Sequence, residues 1–243
     1  MHCGDVITLS ETDSSFVEPN GTLWAETVFE NDNLIIFDKP PYMPVHPSIL
    51  HQDDTLANYF ARLYPELTFR CINRLDSGTT GLCAVAKNAY TANALQGKIR
   101  KIYYAVCEGV CPPHGTVDAP IARVEDSIIL RHVHENGQRA VTHFQRIDLN
   151  STHSIVKVWL DTGRTHQIRV HFAYIGHPLA GDTMYGGSKD YIGHQALHCG
   201  ELTFDEPLTG ESITVKSPMH EDVFRLGSVE ESLIDMRKRD FNE

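Results

Sequence analysis

The 243-residue chain predicts an α+β fold: a largely antiparallel mixed sheet, helices packed outside it, and a cleft at its centre. Three observations carry that reading. The run Leu82-Cys83-Ala84-Val85-Ala86 is apolar, ends at Lys87 and is short enough to be a buried strand. Segments 128–133, 140–147 and 154–160 read as strands separated by turn residues, which suggests an antiparallel meander. Helical spacing is confined to short segments, of which the clearest carry Leu56, Tyr59, Phe60 and Leu63, and Ile168, Phe172 and Ile175.

Taken in order, residues 1–24 are a polar leader, with Glu18-Pro19-Asn20-Gly21 marking a linker. Val28-Phe29 and Leu34-Ile35-Ile36-Phe37 flank Asn31-Asp32-Asn33, the composition of a hairpin. The prolines of Asp38-Lys39-Pro40-Pro41 and Val45-His46-Pro47 impose a stiff, extended path, on which His46 alone reads as structural. Asp54-Thr55 starts a packing helix that stops before Pro65. Ser77 to Gly81 break any helical pattern, so Asp76 lies in the loop leading into the buried strand. A rigid element can hold a loop carboxylate in position there.

Residues 89–98 read as a second short helix and residues 100–109 as a strand. On that strand Tyr103 and Tyr104 point to opposite faces, and only one of them can face a site. Residues 110–127 are a Pro/Gly-bearing connection to the meander. Gly163 ends the last strand of the meander, and Thr165 is placed to cap a helix running to Ile175, with Gly176 as terminator. His166 and Arg169, three apart, share a face of it and can reach toward the turn of Asp76. The body is expected over 25–222, and 223–243 form a charged tail read as a surface helix.

A formal net charge of −11 argues mildly against nucleic acid, but a whole-chain sum says little about one face. The basic residues cluster near the motifs: Arg70 and Arg74; Lys98, Arg100 and Lys101; Arg164 and Arg169. Six cysteines are scattered, several inside apolar runs, as reduced core cysteines are. Cys107 and Cys111 have no second pair, and His132 and His134 lack a carboxylate or Cys at metal-binding spacing, so no metal is expected. No apolar run is long enough to span a membrane and no charged-then-apolar leader is present, so a soluble, cytoplasmic monomer is expected.

Arg74-Leu75-Asp76, followed by Thr80-Gly81-Leu82 and Ala86-Lys87, resembles the catalytic signature of the large-subunit ribosomal RNA pseudouridine synthase A (RluA) family. The family usually has His before the arginine; here Asn73 stands there, which bears on fine positioning and leaves the Arg and Asp untouched. Lys39-Pro40 with His46-Pro47, Lys101-x-Tyr103-x-Ala105, and Gly163-Arg164-Thr165-His166-Gln167-Ile168-Arg169 match further family segments, as does Gly176-His177-Pro178-Leu179-Ala180-Gly181-Asp182. The resemblance spans about residues 27–220, with the motifs in the family's order. It implies the pseudouridine synthase catalytic fold and conversion of a specific uridine in structured RNA, ribosomal RNA favoured and transfer RNA the other candidate. Gly4-Asp5-Val6-Ile7-Thr8-Leu9 is also similar to the last strand of the S4-type RNA-binding module that precedes the catalytic domain in many members; a plain leader fits it equally.

The implied reaction breaks the N1–C1′ bond, turns the uracil and rejoins it through C5. No redox step occurs and no group is gained, so no cofactor is required, in keeping with a chain that lacks a phosphate-binding glycine loop. By resemblance Asp76 is the essential nucleophile or base, and which bond it forms stays open. Arg169 is implied as its ion-pair partner, and Tyr103 as the ring that stacks on the extruded uracil, its hydroxyl assisting proton removal. Arg74 would fill the gap left by the flipped nucleotide. Lys101 and Arg164 would contact phosphates, and His166 is counted with them on the RNA side. Two competing classes are a non-catalytic RNA-binding or chaperone protein, against which the intact Asp76, Tyr103 and Arg169 set counts, and a His-rich metallohydrolase, for which the ligand pattern is missing.

Overall fold

Local chemistry closes the first hairpin. Asn31 Oδ1 accepts from the backbone N–H of Asn33 at 2.9 Å and of Leu34 at 2.8 Å. This turn joins β1 (Glu26–Glu30) to β2 (Leu34–Lys39) in antiparallel pairing, as the sequence predicts. The computed structural model describes residues 17–227; the S4-like segment 4–9 and the chain beyond 227 lie outside them. Thr55 starts α1 (Leu56–Leu63) with a reciprocal cap, its side chain accepting from Asn58 N while the Asn58 side chain takes Thr55 N. Leu56, Tyr59 and Phe60 are buried against the sheet.

β3 (Arg70–Cys71) is too short to register in the sequence, and it pairs with β4 (Thr80–Ala86), every residue of which is buried. Asn73 extends that pairing with its side chain: Nδ2 donates to Leu82 O at 3.0 Å, and Ala84 N donates to Oδ1 at 2.8 Å. The segment bearing Arg74 and Asp76 is thereby tied to the core strand. α2 (Ala89–Leu95) stops three residues before Lys98, because Gly97 takes a left-handed φ of 74° that ends the turn. β5 (Arg100–Glu108) runs as expected.

The next stretch corrects the sequence reading. Residues 110–127 are not a bare connection but contain β6 (His114–Asp118) and β7 (Ile121–Arg123). Nor does 128–133 join the meander. Only β8 (Arg131–Val133) is a strand there, and it pairs with β7 in a separate two-stranded ribbon while Ile128 and Ile129 are exposed. The reason is pairing competition: β6 takes the free edge of β9 (Val141–Leu149), so the apolar run that follows finds no ladder to join. β9 and β10 (His153–Leu160) form the expected antiparallel pair. α3 (Gln167–Tyr174), β11 (Leu197–Asp205), β12 (Ser212–Lys216) and α4 (Glu221–Gly227) complete the described chain.

The main sheet has ten strands in the order β1-β2-β4-β11-β5-β10-β9-β6, with β12 on β11 and β3 on β4. Every pair is antiparallel except β4 with β11, so the α+β, largely antiparallel mixed sheet is the one expected. Tyr103 joins the main core and Tyr104 a second cluster with Val223 and Phe224 of α4, which places the two rings on opposite faces.

The parallel seam positions the site. Cys199 of β11 pairs with Gly81 of β4 on one side and Tyr103 of β5 on the other, so the strand after Asp76 and the Tyr103 ring share one row. Gly81 has φ 104°, and a Cβ there would lie 2.4 Å from Cys199 O and 2.6 Å from Cys199 N, both backbone atoms. Gly81→Ala is therefore expected to cost about 3 kcal/mol or more, strain and clash together. Gly97→Ala, with φ 74° but nothing within 4 Å, should cost only about 1–2 kcal/mol. Urea unfolding of the two variants checks this; equal losses would mean that β4 and β11 do not approach so closely.

Candidate active site

Asp76 ends the short segment after β3, where the N–H of Thr79 donates to its carbonyl at 3.0 Å and closes the turn into β4. Its carboxylate, 31 % exposed, faces a cavity of about 660 Å³. The same cavity is lined by Arg74, Lys101, Tyr103, Arg164 and His166. Six of the seven site residues named from the sequence thus meet in one cleft, and the seventh, Arg169, stands directly behind Asp76.

Arg169 is buried on α3, and its guanidinium is divided between two carboxylates. Nε donates to Asp182 Oδ2 at 2.7 Å and NH2 to Asp182 Oδ1 at 2.8 Å, a bidentate pair. NH1 is left to donate to Asp76 Oδ2 at 2.9 Å. Burial opposes the charge on Arg169, but the hydrogen bonds and charge of Asp182, with Asp76 adding, outweigh it and raise the guanidinium above its ordinary pKa. The Tyr185 ring covers the group, with its centroid 5.0 Å from Arg169 Cζ. Oδ2 of Asp76 is thus the oxygen that takes the arginine.

His166 departs from the sequence reading. It is the residue preceding α3, in a left-handed conformation with φ 57° and ψ 19°, and Thr165 does not cap the helix. Gln167 braces the segment before the helix instead: its Oε1 accepts from Arg164 N at 2.9 Å and Thr162 Oγ1 at 2.8 Å, while Nε2 donates to Val141 O and Thr142 Oγ1. The left-handed turn swings the imidazole inward, so that Nε2 lies 3.6 Å from Asp76 Oδ2 and Nδ1 lies 2.7 Å from Tyr185 Oη. Burial lowers the His166 pKa, against the pull of Asp76, so the ring is neutral at neutral pH. Tyr185 accepts from Arg131 N at 3.1 Å and can donate to Nδ1, which aims Nε2–H at Asp76.

Burial, with Cys199 and Asp76 nearby, pushes the Tyr103 phenol well up, so it stays neutral. Arg74 and Arg164 are exposed at the cleft wall, Arg164 holding Arg139 O through Nε at 3.1 Å. Lys101 donates to Ile99 O at 3.1 Å.

Several contributors were not singled out from the sequence. Asp182 sat in a matched segment with no role attached, and nothing local marked it as the partner of an arginine thirteen residues earlier. Lys39 is wholly buried and donates to Pro40 O and Ser77 O at 2.8 and 2.9 Å, which props the loop after Asp76. Burial lowers its pKa to about 8. Its place beside the prolines was the available signal.

Among the described residues, the grouping with metal-ligand donors is Asp38, His198 and His220, whose donor atoms lie within 4.8 Å of one another. All three are already partnered. His198 meets Thr80 Oγ1 at 2.9 Å and Ser217 O at 3.2 Å; Asp38 meets Ser217 Oγ at 2.5 Å and His220 Nε2 at 3.2 Å. Burial lowers His198 to about 4, whereas hydrogen bonding to Asp38 raises His220. The cluster reads as an internal polar network that ties the start of α4 to the sheet.

One held carboxylate beside an aromatic ring, in a cleft rimmed by cations, defines a site for a planar ligand on an anionic chain. The RNA pseudouridylate synthase family matches residues 33–174. An uncharacterized RNA pseudouridine synthase of Bacillus subtilis, YjbO, is 41 % identical over 220 residues, covering 84 % of this chain and 78 % of the relative. Ribosomal large subunit pseudouridine synthase D of Pseudomonas aeruginosa is 37 % identical over 227 residues, covering 84 % and 71 %. The solved structure of human RNA pseudouridylate synthase domain containing 1 superposes with TM-score 0.69 at 25 % identity, covering 83 % of this chain and 86 % of that one. The chain belongs to the RNA pseudouridylate synthase family. Among its described residues no helix is long and apolar enough to cross a membrane.

The fork on Arg169 makes Asp182 a positioning residue. Asp182→Ala leaves a buried arginine with half its compensation and is expected to cost about 3 kcal/mol. Asp182→Asn, which keeps the shape, should lower turnover about 100-fold by letting the guanidinium drift from Asp76. Urea unfolding and single-turnover rates check the two; an unchanged rate in Asp182→Asn would show that Asp76 is held without Arg169.

Proposed function

We propose that this chain isomerises a uridine of large-subunit ribosomal RNA to pseudouridine, with Asp76 as the reacting carboxylate. The observation that carries the reading is the division of Arg169 between Asp182 and Asp76, beside the Tyr103 ring and inside a cleft edged by Arg74, Lys101 and Arg164. Curated relatives named as large-subunit ribosomal RNA enzymes favour ribosomal over transfer RNA as the substrate.

The chemistry asks for one anion close to the sugar. Arg169 fixes the direction of the Asp76 carboxylate through NH1, so Oδ1 meets C1′ of a flipped nucleotide as nucleophile or as partner to a cation-like centre. Tyr103 packs against the detached uracil while it turns, and its hydroxyl, kept neutral, relays the C5 proton by accepting it on oxygen as its own hydrogen is handed on. The formula is unchanged: the N1–C1′ bond is replaced by C5–C1′, C5 loses a proton and N1 gains one. Arg74 occupies the place that the nucleotide vacates in the stack, and Lys101 and Arg164 hold phosphates. The neutral His166 adds an N–H toward Asp76 rather than a charge toward RNA. A purely RNA-binding role would give no reason to hold a carboxylate in the middle of a cationic cleft, where it repels phosphates. Residues 25–222 are read as the catalytic domain.

The test uses unmodified large-subunit ribosomal RNA transcribed in vitro, with pseudouridine mapped by carbodiimide adducts and reverse transcription. Wild-type protein converts a defined uridine. Asp76→Asn abolishes conversion while RNA affinity stays within about tenfold, roughly 1.4 kcal/mol. Conversion by that variant would overturn the assignment of Asp76, and conversion of transfer RNA alone would replace the RNA class. In the same assay Tyr103→Phe keeps the ring and loses rate more than affinity, while Tyr104→Phe, facing the other core cluster, changes neither. The reverse result would mean the wrong tyrosine has been placed at the site.

A further inference from the structure

Residues 44–48 form one wall of the cavity that holds Asp76, Arg74 and Tyr103. Immediately after that wall the chain makes a closed turn. Ser48 N donates to His51 O at 2.7 Å and His51 N to Ser48 O at 3.1 Å, so Ile49 and Leu50 are its two central residues. They are 91 % and 88 % exposed, the most exposed large apolar residues among those described. The turn is anchored at its base as well: His51 Nδ1 meets Asp54 Oδ2 at 2.6 Å, and the Asn58 side chain donates to Gln52 O at 3.0 Å.

Neither local nor core chemistry accounts for this pair. Tight turns favour Asn, Asp, Gly and Ser at their centres. Two branched aliphatics there gain nothing from folding, because they touch almost nothing. A local choice that opposes the turn and contributes nothing to the core marks a functional position. The tip is uncharged, closed by two backbone hydrogen bonds, and directly follows the wall of a cationic cleft.

Resting on the proposed function, we infer that Ile49 and Leu50 are an apolar wedge that enters the RNA base stack next to the flipped uridine and holds that step open. Aliphatic side chains inserted between bases unstack them and bend the strand, which is the work a flipping enzyme needs done. Arg74 fills the vacated place, whereas the tip supports the neighbouring base. A second copy of this chain is a poorer occupant: two side chains supply a small fraction of the about 1,600 Å² that a stable protein interface buries.

The experiment compares wild type with Ile49→Ser/Leu50→Ser and with the swapped Ile49→Leu/Leu50→Ile. Serine replacement at exposed positions should leave the melting temperature unchanged. On a hairpin carrying the mapped uridine, with 2-aminopurine beside it, wild-type binding raises the fluorescence. The serine variant loses that rise and its KM increases about tenfold, the loss falling on KM rather than kcat; the swap restores both. Wild-type KM and full fluorescence in the serine variant would overturn the wedge. So would a wild-type dimer in light scattering that the serine variant abolishes without a change in KM. If wild type converts no uridine, the proposed function fails separately, and the wedge is judged on affinity for the same ribosomal transcript: about tenfold weaker in the serine variant upholds it, equal affinity overturns it.

Discussion

Arg169 cannot stand buried in this protein unless its charge is met, and the way it is met organises the rest of the site. Asp182 takes two of the guanidinium's N–H groups in a bidentate pair, nearly neutralising it. NH1 then has a fixed direction because the guanidinium is planar, and one of its N–H bonds is directed toward Asp76. A lysine would meet the same charge without the geometry. Asp182 is itself held by the turn it begins, with Tyr185 N and Gly187 N donating to its carbonyl at 3.0 and 2.9 Å. The loop after α3 is therefore as much a part of the site as the signature around Asp76.

Two backbone devices bring those groups within reach. At Gly81 the parallel seam between β4 and β11 is closer than any side chain permits, and this packs the Asp76 loop against the strand that pairs with Tyr103. At His166 a left-handed residue turns the chain just before α3, and Gln167 braces that turn by accepting from Arg164 N. The first device fixes distance across the sheet. The second turns the imidazole toward the carboxylate, covering Asp76 Oδ2 on the side that Arg169 leaves open.

The acid balance of −11 over the chain coexists with a cationic cleft because charge sums over a surface while recognition is local. Arg169 contributes little to that cleft, its charge being consumed by two carboxylates. The cations that line the cavity are Arg74, Lys101 and Arg164. The cations at the cleft wall and the buried arginine that holds Asp76 are thus separate groups.

The sequence by itself determined the elements whose signals are local. The Asn31-Asp32-Asn33 turn, the Thr55 cap, the buried run into Ala86 and the two faces of Tyr103 and Tyr104 are set by neighbours in the chain, and each stands where the residues placed it. The motif resemblance likewise marked Asp76, Tyr103 and Arg169, which the fold brings to one place. What only the tertiary structure decided depends on pairing between distant segments. Whether 128–133 or 114–118 would add to β9 was a competition for one edge, and the polar His114-Gly115-Thr116-Val117-Asp118 took it although the apolar run at 128–130 has the stronger local strand signal. The left-handed His166 takes the cap position expected of Thr165, and Gln167 ties that turn to Val141 and Thr142 on β9, contacts invisible in the motif. Asp182 became Arg169's partner because a buried guanidinium must be matched in space. A sequence states which residues carry charge, but only the fold decides which charges are buried together and must therefore pair.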